Sequence, residues 1–190
     1  MRHFVHYFVG AGRFVNFVAA VPAGDWRVES WSAKGTISDA LAEFAGWHQQ
    51  VAEIIHSADV THRWGLYDRA HLEHWSRGRV TLLGDAAHAM LPFMAQGAAQ
   101  SIEDAFVLAS CLSAADTLAI PAALLQYEEI RKSRAHQVQE RSRQNEVTYH
   151  LPDGDAQRRR DAQLTAAGAI NPLVASSWLY GHDAEARATS

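Results

Sequence analysis

Two short apolar runs around a glycine-rich turn open the chain. Residues 3–9 and 14–21 are rich in aromatic and β-branched side chains, and Gly10, Ala11 and Gly12 followed by Arg13 separate them. Such a pattern is typical of a β-hairpin. Because side chains alternate along a strand, we expect His3, Val5 and Tyr7 to share one face.

The next segment changes to a helical pattern. Thr36 is followed by Asp39 three residues later, an arrangement typical of a helix N-terminus with Thr36 as the N-cap. We expect this helix to run to about Trp47 and a shorter helix to cover residues 50–56. Residues 63–67 are expected to form a short strand.

A third apolar run, residues 80–83, shows no alternation of polar and apolar positions. This pattern favours a strand buried on both faces, as in a parallel sheet covered by helices. Ligands of open α/β sheets bind beyond the carboxyl ends of the strands, which is where Asp85 lies. A carboxylate only accepts hydrogen bonds and therefore suits ribityl or ribose hydroxyls. A role for Asp85 in stabilising a turn is equally compatible with the spacing.

A small-residue helix is predicted to begin at Gly97. Its apolar positions recur at spacings of three and four and form a stripe along one face: Ala98, Ile102, Ala105, Phe106, Ala109 and Leu112. Small residues at its start would let a planar ligand approach the backbone. The first amides of a helix also favour negative charge. A plain helix terminus packed on a neighbour explains the same residues.

The pattern over the rest of the chain predicts helices followed by a polar C-terminal segment. Pro121 suits the first turn of a long helix that continues towards Tyr149, and a charged helix is expected over 156–167. Residues 169–190 are small and polar and are expected to form a flexible tail. Interleaved charges on the long helix predict a solvated face with local ion pairs. They are Glu128, Glu129, Arg131, Lys132, Arg134, Glu140, Arg141, Arg143 and Glu146.

Composition narrows the class of protein. The chain has 190 residues, 48% of them hydrophobic, and a formal net charge of -4, which does not favour a nucleic-acid partner. Its single cysteine, Cys111, fits a reducing compartment. No apolar run approaches the ~20 residues that a bilayer requires, so a cytoplasmic location is expected. His71 and His74 lack a third ligand at suitable spacing, and no metal site is expected.

The segment from Gly84 to Ala105 carries a family resemblance. It reads GDAAHAMLPFMAQGAAQSIEDA and resembles the second flavin-binding motif of the FAD-dependent aromatic-ring monooxygenases, in the branch of salicylate hydroxylase and 3-hydroxybenzoate 6-hydroxylase. The flanks HFVHYFVGAGRFVNFVA and RWGLYDRAHLEHWSRGRV resemble the family too, so the likeness covers about residues 1–164. Ala89 departs from the family pattern, which has proline there.

The resemblance implies an α/β fold and a flavin-dependent hydroxylation of an aromatic ring. Members use NADH or NADPH to reduce FAD, and then molecular oxygen to hydroxylate an aromatic acid or phenol. Asp85 would bind the ribityl chain, the loop around Pro92 would lie beside the reactive edge of the flavin, and the amides after Gly97 would face its pyrimidine ring. The implied cofactor-binding residues are Gly84, Asp85, Pro92, Gly97, Ala98 and Ala99.

Three histidines are candidates for a role in the site that the resemblance implies. His3 would face the substrate and could accept the phenol proton, since a near-neutral pKa suits that role. A solvent-facing histidine is the favoured alternative, and His6 would point to the opposite face. His88 is expected to fix the loop by hydrogen bonding rather than to act in catalysis.

The family's GxGxxG turn, which holds the ADP half of FAD, has no counterpart in this chain. The resemblance therefore implies a C-terminal portion. Residues 1–78 would be part of a substrate domain with a β-sheet and helices, residues 79–168 the C-terminal part of the FAD-binding domain, and residues 169–190 the tail. The partners implied are an aromatic substrate, oxygen, and an N-terminal half or a second copy. The alternative is a non-catalytic truncated or split fragment that needs a separate N-terminal half to bind FAD.

Overall fold

A computed structural model describes residues 2–24, 28, 30, 32–113, 115–167 and 176–188. The chain divides into two units, Met1–Leu66 and Tyr67–Ser190. Residues 67–78 belong to the second unit, where Trp75 is buried in the core and Leu72 packs against it. The domain boundary expected at residue 78 stays a prediction.

The first unit begins with the expected hairpin. Strand β1, His3–Val9, pairs antiparallel with β2, Phe14–Ala20, in a register that sets His3 opposite Ala20 and Val9 opposite Phe14. The other elements of this unit are β3, Lys34–Gly35, helix α1, Ile37–Glu43, helix α2, Gln49–His56, and β4, Thr61–His62, which pairs antiparallel with β3.

The N-cap of α1 is confirmed, because the Thr36 hydroxyl accepts a hydrogen bond from the Asp39 amide at 3.0 Å. The helix ends at Glu43, short of Trp47, and Gly46 follows with a left-handed φ of 83°. Phe44 turns into the core of this unit, where its ring packs edge-on against Phe4 with centroids 5.5 Å apart.

The strand expected over residues 63–67 is wrong. The strand in this region is β4, Thr61–His62, and its pairing extends by one bond, from the Arg63 amide to the Ala33 carbonyl at 2.9 Å. Because β3 and β4 are antiparallel, a continuation of β4 beyond residue 63 would need a partner that precedes Ala33, and residues 64–67 form no strand.

The second unit is mostly helical. Its elements are β5, Ser76–Arg77, β6, Val80–Thr81, α3, Asp85–His88, a 3-10 turn at Pro92–Met94, α4, Gly97–Ser113, α5, Ile120–Tyr149, α6, Asp155–Ala167, α7, Ser177–Tyr180, and α8, Ala184–Ala188. Pro121 lies in the first turn of α5, as expected. The core packs α4 and α5 around the side chains of Trp75, Val107, Cys111, Tyr127 and Ala135.

The buried parallel strand expected over residues 80–83 is not found. Only Val80 and Thr81 form a strand, β6, and it pairs antiparallel with β5 across a tight turn at Gly78. The Val80 side chain is 68% exposed. Within the described ranges no strand lies parallel to β6, so the apolar run has backbone on one side only.

The apolar stripe of α4 is mostly exposed to solvent. The helix buries Gln100, Asp104, Val107 and Cys111, whereas Ile102 is 70% exposed and Phe106 also lies at the surface. The pattern predicted the helix correctly, but the face that packs in the second unit is the one carrying polar residues.

Two short helices, α7 and α8, lie within the segment expected to form the tail. Leu179 in α7 is buried, and the Arg134 guanidinium donates hydrogen bonds to the Trp178 and Leu179 carbonyls, each at 3.0 Å. The flexible tail expected over residues 169–190 stays a prediction, and residues 169–175 and 189–190 lie outside the described residues. Among the helices described, none combines the length and the apolar character needed to span a lipid bilayer.

Candidate functional site

The corner before α3 requires glycine. Gly84 has φ 60° and ψ −137°, a conformation that residues with a β-carbon rarely adopt. A β-carbon at this position would lie 2.7 Å from the Ser101 hydroxyl oxygen, a distance that β-carbons in proteins essentially never show to a neighbouring atom. Gly84 is buried, and its amide donates a hydrogen bond to Asp104 Oδ2 at 3.0 Å. The chain thus turns sharply against helix α4.

Asp85 follows this corner as the first residue of α3 and is exposed. Across the residues that the structure describes, its carboxylate has no hydrogen-bond partner in the protein. Its Oδ1 lies 3.9 Å from the position that a β-carbon on Gly97 would occupy. The acidic corner and the start of α4, which are 12 positions apart in sequence, therefore meet in space.

The start of α4 presents free backbone amides beside Asp85. The first hydrogen bond along the helix runs from the Gln100 amide to the Gln96 carbonyl at 2.9 Å. The amides of Gly97, Ala98 and Ala99 precede it and so lack intrahelical partners. Ala98 is exposed, and the other two residues are half-buried. Small side chains leave this end of the helix open to a flat ligand.

The loop between α3 and α4 is fastened by α5. Three α5 side chains spaced three residues apart donate hydrogen bonds to loop carbonyls: Gln139 to Ala89 at 2.8 Å, Ser142 to Leu91 at 2.5 Å and Asn145 to Phe93 at 3.0 Å. Pro92 begins the 3-10 turn of this loop and is exposed. The sequence analysis missed these three polar residues, and their spacing of three along a helix is the signal that could have found them.

A buried ion cluster lies under the corner. His88 Nε2 contacts Asp104 Oδ2 at 2.6 Å, and Arg131 Nε donates to Asp104 Oδ1 at 2.7 Å. Burial alone would raise the pKa of Asp104, but the hydrogen bonds from His88 and Arg131 lower it below its ordinary value. The carboxylate is therefore ionised at neutral pH. The expected structural role of His88 is confirmed, since its ring joins α3 to α4.

The solvated face expected on α5 is wrong for three of its charged residues. Arg131 and Glu128 are buried, and Arg134 is nearly so. Glu103 receives both arginines, Arg131 Nη1 at 2.6 Å and Arg134 Nε at 2.7 Å. The acidic pair at 103–104, set in an otherwise uncharged helix, is the signal that indicates buried cationic partners.

His3 lies in the first unit, on β1, and is half-buried. On the same face, Val5 and Tyr7 are about half exposed, and the Tyr7 hydroxyl accepts a hydrogen bond from the Asn16 amide nitrogen at 2.8 Å. His6 lies on the opposite face with Phe4, at a ring-centroid distance of 6.1 Å. The six candidate cofactor residues all lie in the second unit.

His71 and His74 do not converge. The His71 ring stacks on His136, with centroids 4.1 Å apart and planes 5° from parallel, and His74 lies near Glu73 and Glu128. In the described part of the chain, no three His, Cys, Asp or Glu side chains are grouped so that they could hold a metal ion.

Comparisons with known proteins agree on one family. The model of the FAD-binding domain family matches residues 13–142. A 3-amino-4-hydroxybenzoate 2-monooxygenase of Streptomyces platensis is 45% identical over 182 residues, which cover 96% of this chain and 45% of the relative. The chain therefore spans less than half the length of that relative.

Solved structures agree with this result. A salicylate hydroxylase in complex with its substrate is 31% identical with a TM-score of 0.79, and the match covers 99% of this chain and 46% of that one. HpxO of Klebsiella pneumoniae, solved with FAD and uric acid, is 30% identical with a TM-score of 0.72, over 86% of this chain and 41% of that one. The expected fold, a partial flavin monooxygenase fold of mixed helices and strands, is confirmed. This chain belongs to the FAD-binding domain family and, within it, to the FAD-dependent aromatic-ring monooxygenases.

Proposed function

We propose that this chain forms one wall of the flavin site of a monooxygenase that uses NADH or NADPH, and oxygen, to hydroxylate an aromatic acid or phenol. The observation that carries the proposal is the unpartnered Asp85 carboxylate beside the open start of α4. Asp85 would hold the ribityl chain, Gly84 would shape the corner that presents it, Pro92 would border the ring, and Gly97, Ala98 and Ala99 would face the pyrimidine end.

The residues of this corner fit FAD. An ionised carboxylate can accept hydrogen bonds from ribityl hydroxyls, and Asp85 has no competing donor among the described residues. A β-carbon at Gly97 would lie 3.9 Å from Asp85 Oδ1, so glycine leaves the surface beside this carboxylate without a side chain. The fit therefore depends on a free acceptor and on the absence of a side chain next to it.

The start of α4 supplies the matching electrostatics. Amides at the N-terminus of a helix carry partial positive charge and stabilise an anion by about 0.3–1 kcal/mol at exposed sites. Gly97, Ala98 and Ala99 would direct these amides at the ring, whose reduced form is negatively charged. When bound, FAD would supply the redox chemistry, accepting electrons from the nicotinamide donor and using oxygen.

The substrate would be an aromatic ring with an acidic hydroxyl. The face of β1 that carries His3, Val5 and Tyr7 combines an imidazole, an apolar side chain and a phenol. His3 would accept the phenol proton and so make the ring more nucleophilic. The names of the relatives, 3-amino-4-hydroxybenzoate 2-monooxygenase and salicylate hydroxylase, favour a hydroxylated aromatic acid.

The alternative is a fragment that binds FAD only together with a separate N-terminal half, or within a homodimer. It is favoured by the apolar surface that the second unit leaves exposed at Val80, Ile102 and Phe106. In this reading the candidate residues keep their roles, but the chain does not act alone.

A chimera separates the two readings. The segment of the Streptomyces platensis relative that does not align with this chain is fused to this chain. The resulting chimera is compared with the chain alone. Both are titrated with FAD and assayed for NADH and NADPH oxidation that depends on 3-amino-4-hydroxybenzoate or salicylate.

The proposal predicts a yellow chimera whose nicotinamide oxidation rises with the aromatic acid. FAD binding by the chain alone supports independent function, and binding by the chimera only supports the fragment reading. A folded chimera that binds no FAD would contradict the proposed function.

A further inference from the structure

We propose that Asp104 is a positioning residue for the candidate flavin site, since its carboxylate fixes α3 against α4 and thereby sets the distance between Asp85 and the free amides of α4. This inference rests on the proposed function. Asp104 would not touch the cofactor itself. It would act through the backbone on either side of Asp85.

One oxygen atom holds both ends of α3. Asp104 Oδ2 accepts a hydrogen bond from the Gly84 amide at 3.0 Å, and the His88 ring nitrogen lies 2.6 Å from the same oxygen. Gly84 is the N-cap of α3 and His88 is its last residue, so Asp85 lies between two fastened points. A four-residue helix has little stability of its own, and these two contacts supply what its length does not.

Helix α4 carries both parts of the arrangement. Asp104 lies seven residues after Gly97, about two turns along one continuous helix. The start of α4 therefore cannot shift relative to Asp104, and α3 is tied to Asp104. Ser101, one turn after Gly97, adds a second link. Its hydroxyl donates to the Gly97 carbonyl at 3.0 Å and packs under Gly84.

Arg131 binds the carboxylate oxygen of Asp104 that does not contact α3. Arg131 donates to Oδ1 at 2.7 Å, so Oδ2 remains free for α3. Arg131 also contacts Glu103 at 2.6 Å and Gln100 Oε1 at 2.8 Å. Because the guanidinium keeps these two partners when Asp104 becomes neutral, we expect Asp104→Asn to fold while loosening α3.

Glu128 offers a matched control. Its carboxylate is also buried and also accepts two backbone amides, those of Trp75 at 3.0 Å and Ser76 at 2.8 Å, but it does not contact α3. Glu128→Gln therefore removes a buried carboxylate of the same kind at a place that leaves Asp85 and α4 alone. A purely structural effect would appear equally in both variants.

The experiment has two readouts. Amide hydrogen exchange of residues 84–88 is measured in the chain without flavin, and FAD affinity is measured in the chimera. We expect Asp104→Asn to speed exchange at 84–88 at least tenfold and to weaken FAD binding at least tenfold, and Glu128→Gln to do neither. His88→Leu, which releases one end of α3, should give smaller changes in the same direction and serves if Asp104→Asn does not fold.

Unchanged exchange at 84–88 in Asp104→Asn and His88→Leu would overturn the proposal. Equal losses of FAD affinity in Asp104→Asn and Glu128→Gln would overturn it too, because they would indicate a general loss of stability. If the wild-type chimera binds no FAD, the proposed function fails and the role of Asp104 toward flavin falls with it, while the exchange data still decide whether Asp104 holds α3.

Discussion

Arg131 and Asp104 form an ion pair in the interior of the second unit, with Arg131 Nε 2.7 Å from Asp104 Oδ1 and both side chains at most 1% exposed. The pair joins the two longest helices, α4 and α5. Removing one member of such a pair leaves the other charge buried without compensation. The pair therefore makes the packing of α4 on α5 depend on both residues.

Arg131→Met should lower the free energy of unfolding by about 3–5 kcal/mol, because the Asp104 carboxylate would remain buried without its cationic partner and Glu103 would keep only Arg134 of its two arginines. Arg141→Met is the control, since Arg141 is exposed and its side chain donates a hydrogen bond to Gln144 on the same helix. Its effect should stay within about 0.5 kcal/mol. Urea denaturation followed by circular dichroism measures both, and similar losses in the two variants would contradict the role of the ion pair.

Gly84→Ala should destabilise the second unit by about 1–3 kcal/mol through its backbone conformation alone, with the clash against Ser101 adding to this. Adding Ser101→Gly removes the clash but not the backbone strain. The double variant should therefore recover part of the lost stability. Thermal unfolding of the single and double variants measures the difference. A Gly84→Ala protein as stable as the wild type would contradict the backbone conformation given for Gly84.

Gly97→Ala should separate binding from folding. The backbone at Gly97 is helical, and an added β-carbon would make only an ordinary contact, 3.9 Å from Asp85 Oδ1. Stability should stay within about 0.5 kcal/mol of the wild type. FAD affinity in the chimera should fall, since the methyl group stands on the proposed flavin surface. Unaltered affinity, measured by quenching of flavin fluorescence, would place the ring elsewhere.

His136 should make the protein less stable in mild acid. Burial and the charges of nearby groups lower its pKa from 6.5 to about 4; these groups are His71, Lys132, His88 and Arg143. Between pH 6.5 and 4 the unfolded chain binds more protons at this residue than the folded chain, so the free energy of unfolding falls as the pH falls. Glu103, Asp104 and Glu128, whose pKa values are also lowered, lose their contribution mainly below pH 4.5.

The pH effect is isolated by His136→Phe, which keeps an aromatic ring stacked on His71. The wild type should lose about 1 kcal/mol more than the variant between pH 7 and pH 5, a figure reduced for the partial exposure of the ring. Denaturant titrations at the two pH values measure the difference. Parallel losses in both proteins would assign the acid sensitivity to other groups.

Local rules explain what the sequence could predict. The hairpin, the Thr36 cap, the start of α4 and the place of Pro121 depend on neighbouring residues, and all four are found. The failures share a cause in distant contacts. Whether residues 63–67 form a strand depended on a partner segment before Ala33, and whether Val80 is buried depended on a second sheet partner for β6. The buried state of Arg131 depended on Asp104, which lies 27 positions away.

In the candidate site, too, features set by neighbouring residues were predicted and features set by distant contacts were missed. The family string identified Gly84, Asp85 and Gly97 directly, and the contact between the corner and α4 is found. The supports of the site were not identified, because Gln139, Ser142 and Asn145 look like solvent-facing polar residues on a long helix. Only the fold reveals that they donate hydrogen bonds to the loop at 89–93.

The central claim is that the Asp85 carboxylate holds the flavin. FAD affinity of the wild-type chimera is compared with that of Asp85→Ala, with Glu146→Ala as an exposed acidic control. Because Asp85 has no protein partner in the described ranges, its removal should leave the unfolding free energy unchanged. The account predicts that FAD binds at least tenfold more weakly to Asp85→Ala and unchanged to Glu146→Ala. Equal FAD affinity in all three proteins would contradict it.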